Sequence, residues 1–434
     1  MAIDIHELKL PVSMQQVHMW LQQQTDAFGI YIDLDRTLEY MCILTEKQHV
    51  LIHSLRGMSG TNLNVSDKAS VVSTLIKMGV PPHVFGDNSL NKGVIQSIID
   101  GNYSEDAVIF AKGYSLYASH KNRLGTLRSY SQLPQTELYT KNNHRLVKAT
   151  PVWHILNTSR HATSDPNIQA IAKDFCDLVA EPEGYHLIRC DSNQIEPRIT
   201  WSYFTRDDLI IKLITLYKDA YLGIMAFCEM TPEEERIYRS DFSKYHPMEV
   251  NSEVTKRRKE LKTFTLAATY GSTKLSSLNS KLASAYEEKI IHHPMRMQLE
   301  AKVKDQVNRG DLTFYGAFGT PVNPEENTSK VPGSPGWIGH VVRCGINNPV
   351  QTTASELMAF SVAKAMSLLS ELEDSHIAFY KHDEACFYIS DKDMERKDII
   401  NELADITAYN VDGWIPITCE VEYGVLHSNI PTDL

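Results

Sequence analysis

Helix-like and strand-like stretches follow one another along this chain without any of them repeating. Residues 14–29 (MQQVHMWLQQQTDAFG) read as a helix closed by Gly29, and the short strand-like run IYIDLD follows. A second helix is expected over 104–124, with Ser104 as its cap and Lys112, His120, Lys121 and Arg123 on its surface. From Gly184 the pattern changes. GYHLIRCDS is an apolar strand running into a carboxylate, and Pro197 suits the first turn of a helix after it. The polar stretch 230–252 separates two helical regions, and a long helix is expected from about Glu253 to Tyr270. Residues 310–340, rich in Gly, Pro and Asn, read as a hairpin plus a loop, and Asn348-Pro349 marks the start of a helix running through about Leu369. The strands HIAFYKH and ACFYIS are joined through Asp383-Glu384, ahead of a helix over 394–409 and a terminal strand, PITCEVEYG. Strands bearing carboxylates and flanked by helices predict an α+β sheet platform with mostly helical additions.

Length changes this picture little: 434 residues exceed one compact core, so several subdomains are expected. Hydrophobic content of 42% and charged content of 22% are ordinary for a globular protein. The opening MAIDIHELKLPVSMQQ is too polar for a signal peptide or a membrane span, so a cytoplasmic protein with no membrane partner is expected. Cysteines 42, 176, 190, 228, 344, 386 and 419 lie far apart with no CxxC pair, which argues against a zinc ribbon or a disulfide framework. Reduced, mostly buried thiols are the expectation. The net charge of −11 argues weakly against a nucleic-acid partner, but its distribution weakens the objection. Glu371–Leu434 holds 15 of the 54 acids and 4 of the 43 bases, leaving 39 of each sign in the residues before it.

Three constellations carry candidate chemistry. Asp191 ends an apolar strand within CDSNQIEPR, and His382-Asp383-Glu384 sits between two β-like runs. Either acid alone would be a solvated turn residue in most proteins. Two carboxylates at strand ends can meet on neighbouring strands and clamp two Mg²⁺ ions, which take oxygen ligands and bridge substrate phosphates. The third constellation is Arg258, Lys262, Leu266 and Tyr270, followed by Gly271. Four residues advance a helix by about 400°, so these side chains lie along one slowly drifting stripe. Two cations, then an apolar side chain, then an aromatic, suit a triphosphate at one end and a base at the other. KRRKELK taken alone would be a solvated basic face.

Together these segments resemble the family A DNA polymerases, the bacterial DNA polymerase I group, in a short form without an exonuclease such as phages or mobile elements encode. The strand with DSNQIEPR is similar to motif A, the Arg258-to-Gly271 helix to motif B, and His382-Asp383-Glu384 to motif C. TSRHATSDPNIQ at 158–169 is similar to the primer-template grip before motif A, and Arg343, Asn347 and Gln351 to the segment reading the duplex minor groove. Each motif alone is weak, whereas five in order with matching internal spacing are specific. Weaker likeness covers nearly the whole chain.

The resemblance implies a right-hand polymerase fold with an antiparallel-sheet palm. After an N-terminal segment (1–16) it places the thumb at 17–150, the palm at 151–204 and 341–434, and the fingers at 205–340. It implies that Asp191 and Asp383, with the backbone carbonyl of Ser192, hold two Mg²⁺ ions, and that Glu384 is a supporting acid. Arg258 and Lys262 would bind the triphosphate, and Lys262 would protonate the leaving group. Leu266, Tyr270, Gln194 and Tyr221 would line the nucleotide site, where Glu196, hydrogen-bonded to Tyr270, would exclude a 2′-hydroxyl. Arg160, Asn167, Gln169, Arg343, Asn347, Gln351 and His382 would contact primer-template DNA. The expected partners are primer-template DNA and dNTPs; no processivity factor is named by the resemblance.

Departures from the family pattern are specific. Leu266 stands where an aromatic usually stacks on the nucleotide, Tyr221 where many members carry a phosphate-binding His, and Pro197 where an apolar residue follows the Glu. Asp33 and Asp35 mimic a nuclease fragment but lack the remaining acidic motifs, so they read as an ordinary turn, and no proofreading domain is expected. His292-His293-Pro294 reads as a helix-ending turn and not a metal pair. Two other readings compete: a single-subunit RNA polymerase, disfavoured by Glu196 and Glu384, and an inactive polymerase-like subunit that binds primer-template, disfavoured by both aspartates and Lys262.

Overall fold

The computed structural model of the protein describes residues 3–4, 14–24, 29–60, 63–86, 90–131, 138–139, 144–148, 150–152, 162–164, 168, 171, 173–269, 280–323, 331–381, 383–396, 398–410 and 414–424. The chain forms two compact units. One comprises Met1–Gly29, Lys148–Asp165 and Glu183–Gly424, and the other is built chiefly from Ile30–Val147 and Pro166–Pro182.

In the second unit two long helices, Leu34–Ser59 and Glu105–Ser131, pack together over a core that includes Leu55, Val71, Leu75, Phe110 and Tyr117. Asp33 caps the first of them, its side chain accepting a hydrogen bond from the Arg36 amide at 2.9 Å. Ser104 Oγ accepts from the Ala107 amide at 3.3 Å at the start of the other. That helix runs past the expected 124 because Leu124, Leu127 and Tyr130 extend its buried face. His120 is a correction: it is buried, not on the surface, because Tyr117, His120, Leu124 and Leu127 share one helical stripe. Burial, reinforced by Arg123 and Lys47, lowers its pKa.

The other unit is organised by a four-stranded antiparallel sheet. Its strands are β1 (Tyr185–Ser192), β2 (His376–Lys381), β3 (Glu384–Ser390) and β4 (Cys419–Tyr423), in the spatial order β2-β3-β1-β4. Alternation along β1 sends Ile188 and Cys190 into a core with Ala385, Phe387 and Ile389, leaving Arg189 and Asp191 for the opposite face. Four helices of this unit, α1 (Ile195–Phe204), α2 (Ala220–Glu229), α3 (Ser252–Thr269) and α4 (Pro335–Leu369), pack on one another, and α4 also packs on β2. Met358, Ala359, Val362 and Ala365 of α4 seat that helix on the sheet core. A second core, around Trp201, Ile210, Leu213, Ile224, Phe227 and Tyr286, holds α1 and α2 to their helical neighbours.

Several boundaries depart from the sequence reading. Pro349 does not start a helix but lies inside α4, which begins at Pro335 under a Ser334 cap. A proline there costs ~3 kcal/mol, yet every residue from Gly345 to Val362 is buried, and that packing outweighs it. The stretch 230–252 contains a helix, Pro232–Ser240, which buries no residue and leaves no apolar period to read. A capping box between Thr231 and Glu234 and ion pairs of Arg239 with Asp207 and Glu235 hold it instead. The helix expected over 394–409 is two, Asp391–Met394 and Ile399–Thr407. The hairpin part of 310–340 is present as Phe314–Tyr315 paired with Pro321–Val322, its turn held by Glu356, which accepts from the Phe318 and Thr320 amides. His292 closes one helical turn, and His293 caps the next helix through Nδ1, as a helix-ending turn requires. The described cysteines form no disulfide with one another, and Cys190, Cys228 and Cys386 are buried. Among the described residues no helix is long and apolar enough to cross a membrane.

Candidate active site

Register brings the acids together. Asp191 lies opposite Glu384 on one side and Glu420 on the other, and Arg189 lies opposite Cys386 and Glu422. The period of two puts all six on one face of the sheet. Asp383 occupies the turn between β2 and β3, and its backbone carbonyl accepts from the Ser192 amide at 2.7 Å, closing the end of β1 against that turn. Ser192 is itself buried, its hydroxyl donating to the Thr407 carbonyl at 2.7 Å, so the backbone that carries Asp191 is anchored from below.

The electrostatics of this end are those of crowded acids. Burial first, then the charges of Asp383 and Glu384, push the Asp191 carboxyl up to about 7, with Glu420 adding and Arg189 opposing. Arg189 is the local counter-charge and pairs with Glu384 and Glu422. Glu384 therefore sits beside the aspartates with its carboxylate held by a guanidinium. Among the described residues no group of three or more His, Cys, Asp or Glu side chains is arranged to hold a metal. The donors on offer are two hard carboxylates and nearby backbone carbonyls, a set that suits Mg²⁺, which keeps several ligand positions for water and phosphate. A divalent cation would also relieve the repulsion that raises Asp191.

A cavity of about 350 Å³ opens beside the acids. Its lining brings together Asp191 from β1, Asp383 from the turn between β2 and β3, Gln194 just before α1, Glu196 in the first turn of α1, Tyr221 from α2, and Arg258 and Lys262 from α3. Most of the residues singled out for catalysis and nucleotide binding thus share one space. Arg258 and Lys262 stand one turn apart on α3, as their spacing predicts, with Lys262 exposed. Tyr221 is buried, edge-on to Trp201, with the Arg258 guanidinium carbon 5.3 Å from its ring centre.

Ala354 and Ser355 of α4 complete one wall, and Gln351 and Asn347 lie on the helical turns before Ser355, both buried, with Arg343 half-buried a turn earlier. Those three do not line the cavity but continue its stripe along α4. Arg160, Asn167, Gln169, Tyr270 and His382, and the side chain of Leu266, lie outside the described residues.

Two features had little sequence signal. Asp219, directly ahead of an apolar run, is readable as a helix cap, but its bonds to Arg258 and Gln194 join segments far apart in the chain. Arg189 and Glu420 acquire meaning only from strand register.

No protein-family description matches the sequence. No curated protein matches it either. Solved structures do. The polymerase domain of Pol1 from M. smegmatis, in a complex with DNA primer-template and dNTP, superposes with a TM-score of 0.73 at 18% identity, covering 95% of this chain and 70% of that one. Helical layers around small antiparallel sheets in this arrangement identify the fold as α+β, of the right-hand polymerase class.

Proposed function

We propose that this chain is a template-directed DNA polymerase of the family A type, adding dNTPs to a primer 3′-hydroxyl. The observation that carries this reading is that one cavity is lined by Asp191, Asp383, Glu196, Arg258 and Lys262 together. Acids opposite cations across a space of nucleotide size suit a substrate that is a magnesium triphosphate. The solved polymerase domain of like fold, described with primer-template and dNTP, supports the same reading.

Each residue then has a role its position allows. Asp191 and Asp383, with the Ser192 carbonyl, would hold two Mg²⁺ ions. Such ions, when bound, acidify the primer hydroxyl and neutralise the leaving pyrophosphate. Arg258 grips phosphate oxygens as a fork. Lys262, exposed and one turn on, contributes a compact charge and a proton for the departing oxygen. Glu196, in the first turn of α1 on the cavity wall, narrows the space beneath the sugar and disfavours a ribose. Gln351, Asn347 and Arg343 continue from the cavity along α4, where a primer-template duplex would lie. The reading carries no role for Asp33 in a 3′–5′ exonuclease, because its side chain caps a helix.

Primer extension tests the reading. With Mg²⁺ and a primed template, dNTPs are expected to extend the primer and rNTPs to do so far less. Equal use of rNTPs would favour an RNA polymerase. Binding of primer-template without extension would favour an inactive subunit.

A further inference from the structure

Asp219 caps α2: its Oδ1 accepts from the Leu222 amide at 2.8 Å. Its other oxygen serves the cavity. Oδ2 accepts from Arg258 Nε at 2.9 Å, from Arg258 Nη2 at 2.5 Å and from Gln194 Nε2 at 2.9 Å. Among the described residues no other acceptor takes a hydrogen bond from the Arg258 side chain, whose guanidinium also stands over the Tyr221 ring. One three-residue segment, Asp219-Ala220-Tyr221, therefore fixes the guanidinium by two different contacts. The same segment anchors the turn after β1. Gln194 has a left-handed backbone (φ 53°, ψ 44°), unusual for a residue with a side chain, and its Oε1 accepts from the Ala220 amide at 2.8 Å. Burial works to raise the Asp219 pKa, but the hydrogen bonds from Arg258, Leu222 and Gln194 outweigh it, and the carboxyl is held below its ordinary value.

We propose that Asp219 is a positioning residue for the incoming triphosphate, aiming Arg258 into the cavity before the nucleotide arrives and tying that arginine to the turn that carries Gln194 and Glu196. The inference rests on the polymerase reading above. An unrestrained arginine loses rotamer freedom when it grips phosphate, and here that ordering is already done in the fold. Two effects of removing the carboxylate oppose each other. Losing a negative charge favours a triphosphate through the field, but that attraction is screened in an open, wet cavity. Losing the fork that orients Arg258 is not screened, so positioning wins and binding weakens.

The discriminating variant is Asp219→Asn, because asparagine caps a helix as well as aspartate does while offering Arg258 no charged acceptor. In steady-state extension the dNTP KM is expected to rise about tenfold, the scale set by losing a charge-assisted hydrogen bond. The kcat is expected to change far less. In an Arg258→Ala background, Asp219→Asn is expected to raise KM no further, since the group it positions is gone. Asp219→Ser, which also keeps a cap, is expected to behave as Asp219→Asn does. An unchanged or lower KM, or a full additional loss in the Arg258→Ala background, would overturn the proposal, and so would loss of the folded state in both cap-retaining variants. Wild-type protein run alongside separates the two claims: no extension by wild type contradicts the polymerase reading itself, whereas normal wild-type extension with an indifferent Asp219→Asn contradicts only the positioning role.

Discussion

The two ends of the cavity solve opposite electrostatic problems. At the sheet end, Asp191, Asp383, Glu384 and Glu420 crowd together and Asp191 is driven up to about 7, with Arg189 the nearest compensation. At the helix end, Arg258 meets Asp219, which holds it by two hydrogen bonds against Tyr221. Acids left under-compensated favour recruiting cations from solution. A cation already compensated and held in place favours orienting a substrate. On the polymerase reading proposed above, the sheet end would govern whether chemistry occurs and the helix end which substrate binds and how tightly.

Mutation breaks that division most sharply at the sheet. Asp191→Asn or Asp383→Asn is expected to lower kcat on the order of a thousandfold or more, because metal charge stabilisation supplies several kcal/mol. Primer-template binding, measured by fluorescence anisotropy, should remain close to wild type. Substantial magnesium-dependent turnover by either mutant would remove the sheet end from the chemistry.

Changes at the helix end should fall mainly on substrate affinity. Arg258→Ala is expected to raise the dNTP KM by about 10- to 100-fold, the range for a forked charge-assisted contact, in single-nucleotide extension kinetics. A pure kcat loss with unaltered KM would contradict the division. Glu196→Ala, on the wall between the two ends, is expected to improve rNTP use relative to dNTP on the order of tenfold by opening space beneath the sugar. Unaltered discrimination in single-turnover extension would place the sugar gate elsewhere. The smallest effect belongs to Leu266→Phe. One helical turn past Lys262, an added ring gains stacking on the order of 1 kcal/mol, a several-fold tighter dNTP titration. Equal or weaker binding would mean that position 266 does not face the base.

What was readable in the sequence follows from how local each signal is. Asp191 and Asp383 were visible because an apolar strand ending in a carboxylate is a short-range pattern, and Arg258 and Lys262 because helical spacing is one too. That α4 starts at Pro335 was not readable, since proline and asparagine at 348–349 signal a boundary locally and only burial in three dimensions overrides it. The helix at Pro232–Ser240 was hidden for the opposite reason, having caps and ion pairs but no apolar face. His120 reads as a surface residue in the sequence because a polar residue on a buried stripe looks exposed until its neighbours at 117, 124 and 127 are counted with it. Asp219 lies 25 residues from Gln194 and 39 from Arg258, and no local pattern joins residues across such distances.

If the chain is a template-directed polymerase, this cavity selects a nucleotide against a template and joins it to a primer. Four primed templates differing only in the first unpaired base, each incubated with Mg²⁺ and one dNTP at a time, test it directly. Each template is expected to give one-nucleotide extension with its complementary dNTP, and far less with the other three. No extension on any template, or extension that ignores the templating base, would contradict it.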